Sequence, residues 1–269
     1  MKTRIITGII LIILAVLAIW FLPDNLFSLL SGILFLLVAW EWANVSPLKN
    51  IFLKIFYVFG AACILILLYS YRISHFIWLW ADFILAVWSV VAIWQYNFSK
   101  KSFGIQFVFI KWLFGWILLP AAWLAMNILR LEPYSPAWLF FGLVIIWVAD
   151  SGAYFVGRVY GKHPLAFRVS PKKTWEGFWG GFIFAMIAGI IGFYFFNIPF
   201  RQWFGDALII LLVIIFSVVG DLLESLLKRQ ANLKDSGTLL PGHGGLLDRL
   251  DGVLLALPLF ALGSIYLMR

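Results

Sequence analysis

Nine apolar runs, each about as long as a bilayer crossing, govern what this chain can become. They cover roughly 5–22, 26–43, 51–69, 75–95, 107–129, 137–157, 177–196, 205–227 and 247–268. A hydrocarbon layer of ~30 Å takes ~20 helical residues, since each advances the chain ~1.5 Å. In that layer every backbone N–H and C=O needs an internal partner, so such runs fold as helices. Hydrophobic residues are 64% of 269, against ~45–50% in soluble domains. The linkers are short and no internal repeat is visible. The expectation is one all-α domain over residues 1–269: a polytopic integral membrane protein with about nine transmembrane helices.

Basic residues orient such a bundle, because short cytoplasmic loops carry the excess of Lys and Arg. With the N-terminus cytoplasmic and nine spans, only Arg72, Arg130, Arg201 and Arg269 of the 20 Lys and Arg fall outside. The C-terminus is then external, and the loops near 150–177 and 220–252 are cytoplasmic. The expected location is the cytoplasmic (inner) membrane. The first run, Ile5–Leu22, follows Lys2 and Arg4 as a signal peptide would. It leads into further apolar runs rather than a polar chain, so it reads as an uncleaved span. The net charge of +8 faces anionic headgroups and membrane lipids. It is spread over short segments between spans, so nucleic acid is not an expected partner.

Charged residues are only 12% of the chain, yet many gather between Gly220 and Gly252. Asp221, Glu224, Lys228, Arg229, Lys234, Asp235, Asp248, Arg249 and Asp251 fall there, between two apolar runs. Charge is costly in a membrane helix, by ~2.5–3.5 kcal/mol at its centre. Pro241-Gly242-His243-Gly244-Gly245 cannot continue a helix, and such a turn lets backbone N–H groups approach an anion. Asp248 and Asp251 share a face at i, i+3, and so do Asp221, Ser225 and Lys228 at i, i+4, i+7. Two carboxylate clusters, lysines and an anion-friendly turn suit a metal-bound polyphosphate.

A second polar segment runs from Asp150 to Gly177 and contains Ser170-Pro171-Lys172-Lys173-Thr174-Trp175-Glu176-Gly177. Asp150 closes a long apolar run and is placed near its cytoplasmic end. Ser170-Pro171 reads as a turn, with Lys172 and Lys173 as a basic pair before a helix that Ser170 or Thr174 can cap. The plainer reading of the pair is a topological charge signal. Gly177, Gly181, Ala185 and Gly189 then form a smooth helix face for close packing, and a homodimer contact on that face is left open.

Both segments resemble the motifs of the phosphatidate cytidylyltransferases (CDP-diacylglycerol synthases). The likeness runs through Ser225, Lys228-Arg229, Lys234-Asp235, His243-Gly244-Gly245 and Asp248-Arg249-x-Asp251, with Ser170 to Gly177 as its companion. Where that family often has a small hydroxyl residue after the last Asp, this chain has Gly252. The resemblance implies the substrates CTP and phosphatidate and the products CDP-diacylglycerol and pyrophosphate. It also implies magnesium, with a second cation, held by aspartates. Asp221 and Asp248 are the first choices as metal ligands. Asp251, Lys228 and Arg249 complete the catalytic set, and Asp150 stands behind them. Lys172, Lys173, Ser225, Arg229, Lys234, His243, Gly244 and Gly245 are expected to bind substrate.

Two other functions fit the composition. A lipid kinase using CTP would need the same cations but would release CDP. A transporter would place its charged site near the midplane, in paired broken helices. Here the charges gather at one face. His163 and His243 lack a second ligand at zinc spacing, and the single cysteine, Cys63, excludes an internal disulfide. Glu41, between Trp40 and Trp42, is read as interfacial and given no role, and Asp82 as a carboxylate inside or near a span.

Overall fold

The computed structural model describes residues 2–48, 50–71, 75–101, 104–131, 133–239 and 244–267. His243 lies outside these. Among the described residues, nine α-helices follow the apolar runs: α1 (Lys2–Phe21), α2 (Asp24–Val45), α3 (Ile51–Tyr71), α4 (His75–Ser99), α5 (Val108–Arg130), α6 (Pro136–Tyr160), α7 (Trp175–Phe195), α8 (Trp203–Ala231) and α9 (Leu247–Leu267). Among the described residues, α2 to α9 are each long and apolar enough to cross a membrane, and α1 contributes a shorter apolar stretch, Ile10–Phe21. The fold is a polytopic helical membrane protein.

Contacts between helix ends fix the up-and-down order. At one end Arg130, closing α5, donates from Nε to Ile19 O at 2.9 Å and pairs with Asp24 at 2.5 Å. At the same end Trp138 of α6 donates to Ser264 of α9 at 3.0 Å. The opposite end gathers the close of α2, α4, α6 and α8 with the start of α7 and α9. Among α2 to α9, helices α5, α8 and α9 are the most deeply buried and α3 and α7 the least. Large exposed side chains such as Phe52, Phe56, Trp94 and Phe195 give the outer helices the apolar surface that lipid requires.

The all-α expectation needs one correction. Between α6 and α7 stand two antiparallel strands, β1 (Pro164–Ala166) and β2 (Ser170–Thr174). This segment is polar and lies beyond the apolar runs, where a short hairpin can satisfy its backbone without a helix. It is anchored to α4: Asn97 Oδ1 accepts from Arg168 N at 3.0 Å, and Phe98 O from Arg168 Nη1 at 2.8 Å. Thr174 caps α7, accepting from Gly177 N at 3.2 Å. The capping expectation therefore holds for Thr174, and Ser170 instead opens β2.

The small-residue face of α7 is consumed within the chain. A methyl on Gly177 would lie 2.7 Å from Ala153 O, and one on Gly181 would run into Ala149 O. Ala185 is fully buried. This is the close helix contact expected from the spacing, made against α6. Any homodimer must use another surface.

Candidate active site

Helix α8 spans 29 residues, about 43 Å at ~1.5 Å per residue, longer than the ~30 Å hydrocarbon layer. Its last turns therefore carry Asp221, Glu224 and Lys228 to the edge of that layer. The helix stops at Asn232, whose φ of 56° is the left-handed conformation that asparagine tolerates. Leu233 N then donates to Lys228 O at 2.9 Å, and the chain turns back toward α9.

Two carboxylate centres result. In the first, the side chains of Asp221 (α8) and Asp251 (α9) face each other within hydrogen-bonding reach, and Asp150 of α6 is close enough to act on Asp221 electrostatically. The helices approach this closely because Gly220 has no side chain: a methyl there would run into Asp251 O. Lys173 reaches in from β2 and pairs with Asp221. Ser217 Oγ donates to Asp150 Oδ1 at 3.4 Å. Two carboxylates in contact repel unless a proton or a cation lies between them. Asp150 sits ten residues before the end of α6, about 15 Å along the axis, so it is deeper than a position near the helix end.

The second centre is built on Asp248, in the first turn of α9. Its Oδ1 meets Lys228 Nζ at 2.5 Å, and Lys228 also pairs with Glu224 at 2.5 Å. Its Oδ2 accepts from Ser236 N at 3.0 Å, Ser236 Oγ at 2.9 Å and Gly245 N at 2.8 Å. Gly244, at φ 83°, takes a conformation that a side chain would strain. The backbone thus brings its amides to a carboxylate, the role expected of the turn toward a phosphate. The part of this turn before Gly244, residues 240–243, lies outside the described residues.

Lys172 and Lys173 are adjacent on β2 and so point to opposite faces. Lys173 enters the first centre, whereas Lys172 is exposed. Arg229 donates to Val169 O at 3.4 Å and so ties α8 to the hairpin. Lys234 and Arg249 lie on the exposed surface, and Ser225 is half-buried on α8. The structure pairs Asp221 with Asp251 and Lys173, and Asp248 with Lys228. Gly252 has a local reason: a methyl there would stand 2.8 Å from Ser217 Oγ and 3.8 Å from Asp150 Oδ2.

Three participants escaped the sequence reading. Glu224 was readable, because Glu224 and Lys228 have the i, i+4 spacing of a helical ion pair. Ser236 and Ser217 carried no signal. Glu41 lies in the closing turns of α2, near the span end as read, but the residue is 1% exposed and its carboxylate meets the α8–α9 connection. Between α6 and α7 lies an open apolar groove of about 430 Å³, lined by Val144, Trp147, Val148, Ser151, Phe155 and Phe184. It begins one position from Asp150.

Among the described residues, no three His, Cys, Asp or Glu side chains form a group that would itself hold a metal ion. Magnesium bound to a nucleotide ordinarily takes only one or two protein carboxylates, with phosphate oxygens and water completing its shell. The Asp221–Asp251 pair, with cationic side chains beside it, fits that use.

Fold and site define a helical membrane protein with a carboxylate–lysine centre at one end of its bundle. The cytidylyltransferase family model matches residues 2–266, and the chain belongs to that family. It is 34% identical over 275 residues to the phosphatidate cytidylyltransferase of Pseudomonas aeruginosa, covering 97% of this chain and 96% of the relative. The proteins of the same name from Haemophilus influenzae and Bacillus subtilis are 33% and 34% identical. Those matches cover 97% and 96% of this chain, and 97% and 95% of the relatives.

Proposed function

We propose that this chain transfers CMP from CTP to phosphatidate, giving CDP-diacylglycerol and pyrophosphate. The observation that carries the reading is the meeting of Asp150, Lys173, Asp221 and Asp251, from α6, β2, α8 and α9, in a chain matched over 97% of its length by a phosphatidate cytidylyltransferase. A phosphate oxygen of phosphatidate attacks the α-phosphorus of CTP, the bond to the β-phosphate breaks, and pyrophosphate leaves. The nucleophile is already an anion, so no strong base is needed. The barrier is repulsion between two polyanions, which placed cations lower.

Lys173 and Lys228 are the partly buried cations nearest the carboxylates. Lys172, Arg229, Lys234 and Arg249 offer charge to phosphates from the exposed side, and Ser225 and His243 are assigned to substrate binding. Magnesium would be held by Asp221 with Asp251, and by Asp248 if its pairing with Lys228 opens; when bound, it would neutralise phosphate charge. Until then Lys173 and Lys228 balance the carboxylates. The groove beside Asp150 would take an acyl chain from the lipid side. The site faces the cytoplasm of the inner membrane, with the N-terminus cytoplasmic and the C-terminus external, because Lys and Arg concentrate at that end of the bundle.

The test is purified protein with labelled CTP, magnesium and phosphatidate, followed by lipid extraction and pyrophosphate measurement. Label in the lipid with pyrophosphate release supports the proposal. Release of CDP would identify a kinase instead.

A further inference from the structure

Glu41 lies in the closing turns of α2, where its carboxylate meets the start of α9. Its carboxylate is buried, a costly position unless donors repay it; Oε1 has no hydrogen-bond partner among the described residues, and the donors gather on Oε2. Oε2 accepts from Leu247 N at 2.7 Å and lies 3.2 Å from Ser236 Oγ. Leu247 is the first residue of α9, and its N–H is one of the donors that a helix start leaves without an intrahelical acceptor. A carboxylate at that end also suits the helix dipole. Glu41 therefore caps α9 from a different helix, with about two hundred residues of chain between them.

Across the connection, Ser236 Oγ has one proton to give, to Glu41 Oε2 at 3.2 Å or to Asp248 Oδ2 at 2.9 Å, so the two carboxylates share it. Ser236 is the residue whose amide and hydroxyl both reach Asp248 Oδ2. The backbone has been thinned to admit Glu41: a methyl on Gly237 would run into Oε1, and one on Gly245 would come within 2.5 Å of Oε2. Ser236, Gly237, Gly245 and Leu247 thus converge on one side chain, and two of them also hold Asp248.

We propose that Glu41 is a positioning residue of the active site: it locks the first turn of α9 to the Ser236 strand of the loop, so that Asp248 stays set against Lys228. It touches neither substrate nor the reacting atoms. Its effect on turnover rests on the proposed cytidylyl transfer, but its effect on the loop does not.

The experiment uses the full chain in nanodiscs, with Glu41→Ala, Glu41→Gln and Ser236→Ala. Two readouts are taken: backbone amide exchange over 233–239 and 244–250, and kinetics with CTP and phosphatidate varied separately. Glu41→Ala should speed exchange at Leu247 and Ser236 by about tenfold or more, the scale of a lost hydrogen bond to a charged group. It should cut kcat/KM for CTP by a similar factor while the KM for phosphatidate holds. Glu41→Gln keeps a carbonyl within reach of Leu247 N–H and should restore most of both. The Glu41→Ala/Ser236→Ala double variant should lose less than the sum of the two single variants, because both residues hold the same loop.

Unchanged exchange in Glu41→Ala overturns the proposal, whatever happens to turnover. So does faster exchange with unaltered kinetics in an active enzyme. If the wild-type protein makes no CDP-diacylglycerol, the functional reading has failed and the exchange data alone decide the role of Glu41. Should Glu41→Ala not insert, Glu41→Asp withdraws the carboxylate without removing it and is held to the same outcomes.

Discussion

The two lysines of β2 invite opposite outcomes on truncation to alanine. Lys173 pairs with Asp221, and their side chains are 28% and 21% exposed. At an effective dielectric of ~20, two opposite charges ~4 Å apart attract by about 4 kcal/mol, and desolvation takes back much of it. Removing the ammonium leaves Asp221, Asp251 and Asp150 facing one another with less compensation. The net loss expected for Lys173→Ala is about 1–3 kcal/mol of stability in the metal-free protein. Lys172→Ala, on the exposed face, should stay within about 0.5 kcal/mol. Activity should fall about 10²–10³-fold for Lys173→Ala, as when one donor to transition-state charge is removed. The assay is CDP-diacylglycerol formation at saturating magnesium, beside thermal unfolding in chelator. Adding Asp221→Asn to Lys173→Ala should recover stability but not activity, because it relieves the repulsion and removes a proposed ligand. Equal damage from both lysines, or a Lys173→Ala enzyme with normal turnover and unfolding, would refute the reasoning.

Asp221→Asn and Asp251→Asn should each abolish magnesium-dependent turnover while sparing or raising the unfolding temperature in chelator; near-normal turnover at ordinary magnesium would remove them as ligands. Gly245→Ala should destabilise the chain by about 1–3 kcal/mol, the usual cost of overpacking, since the new methyl meets Ser236 and Glu41; an unperturbed variant would mean that the loop is looser than described. A reporter inserted within 236–239 should read cytoplasmic and one fused after Arg269 external, and agreement between the two would sink the orientation.

The helices were legible because a membrane span writes its length and apolarity directly into the chain: the expected 177–196 became Trp175–Phe195, and 247–268 became Leu247–Leu267. Carboxylates flanking a glycine turn were legible as a site for the same reason, since charge near a bilayer demands a purpose. Pairing was less accessible. The sequence points to Asp221 and Asp248 as the first metal ligands, yet α8 and α9 approach closely at Gly220, which sets Asp221 against Asp251. The strand β2 carries no hydrophobic alternation, so nothing separated Lys172 from Lys173 before the hairpin was seen. Glu41 belongs to a stretch where two flanking tryptophans explain its position adequately. Only the tertiary fold brings Leu247 N to it.

The methyl-free contact of α7 with α6 has a mechanical consequence. Backbones that meet without side chains between them cannot slide without collision, so α6, α7 and the hairpin joining them behave as a single strut. Lys173 and Asp150 are both mounted on it, and their separation is set once, at folding. Asp221 is mounted elsewhere, on α8. If a phosphate is to come between Lys173 and Asp221, the yielding member has to be α8, and the stiffness of its seat against α7 sets how wide that gap can open.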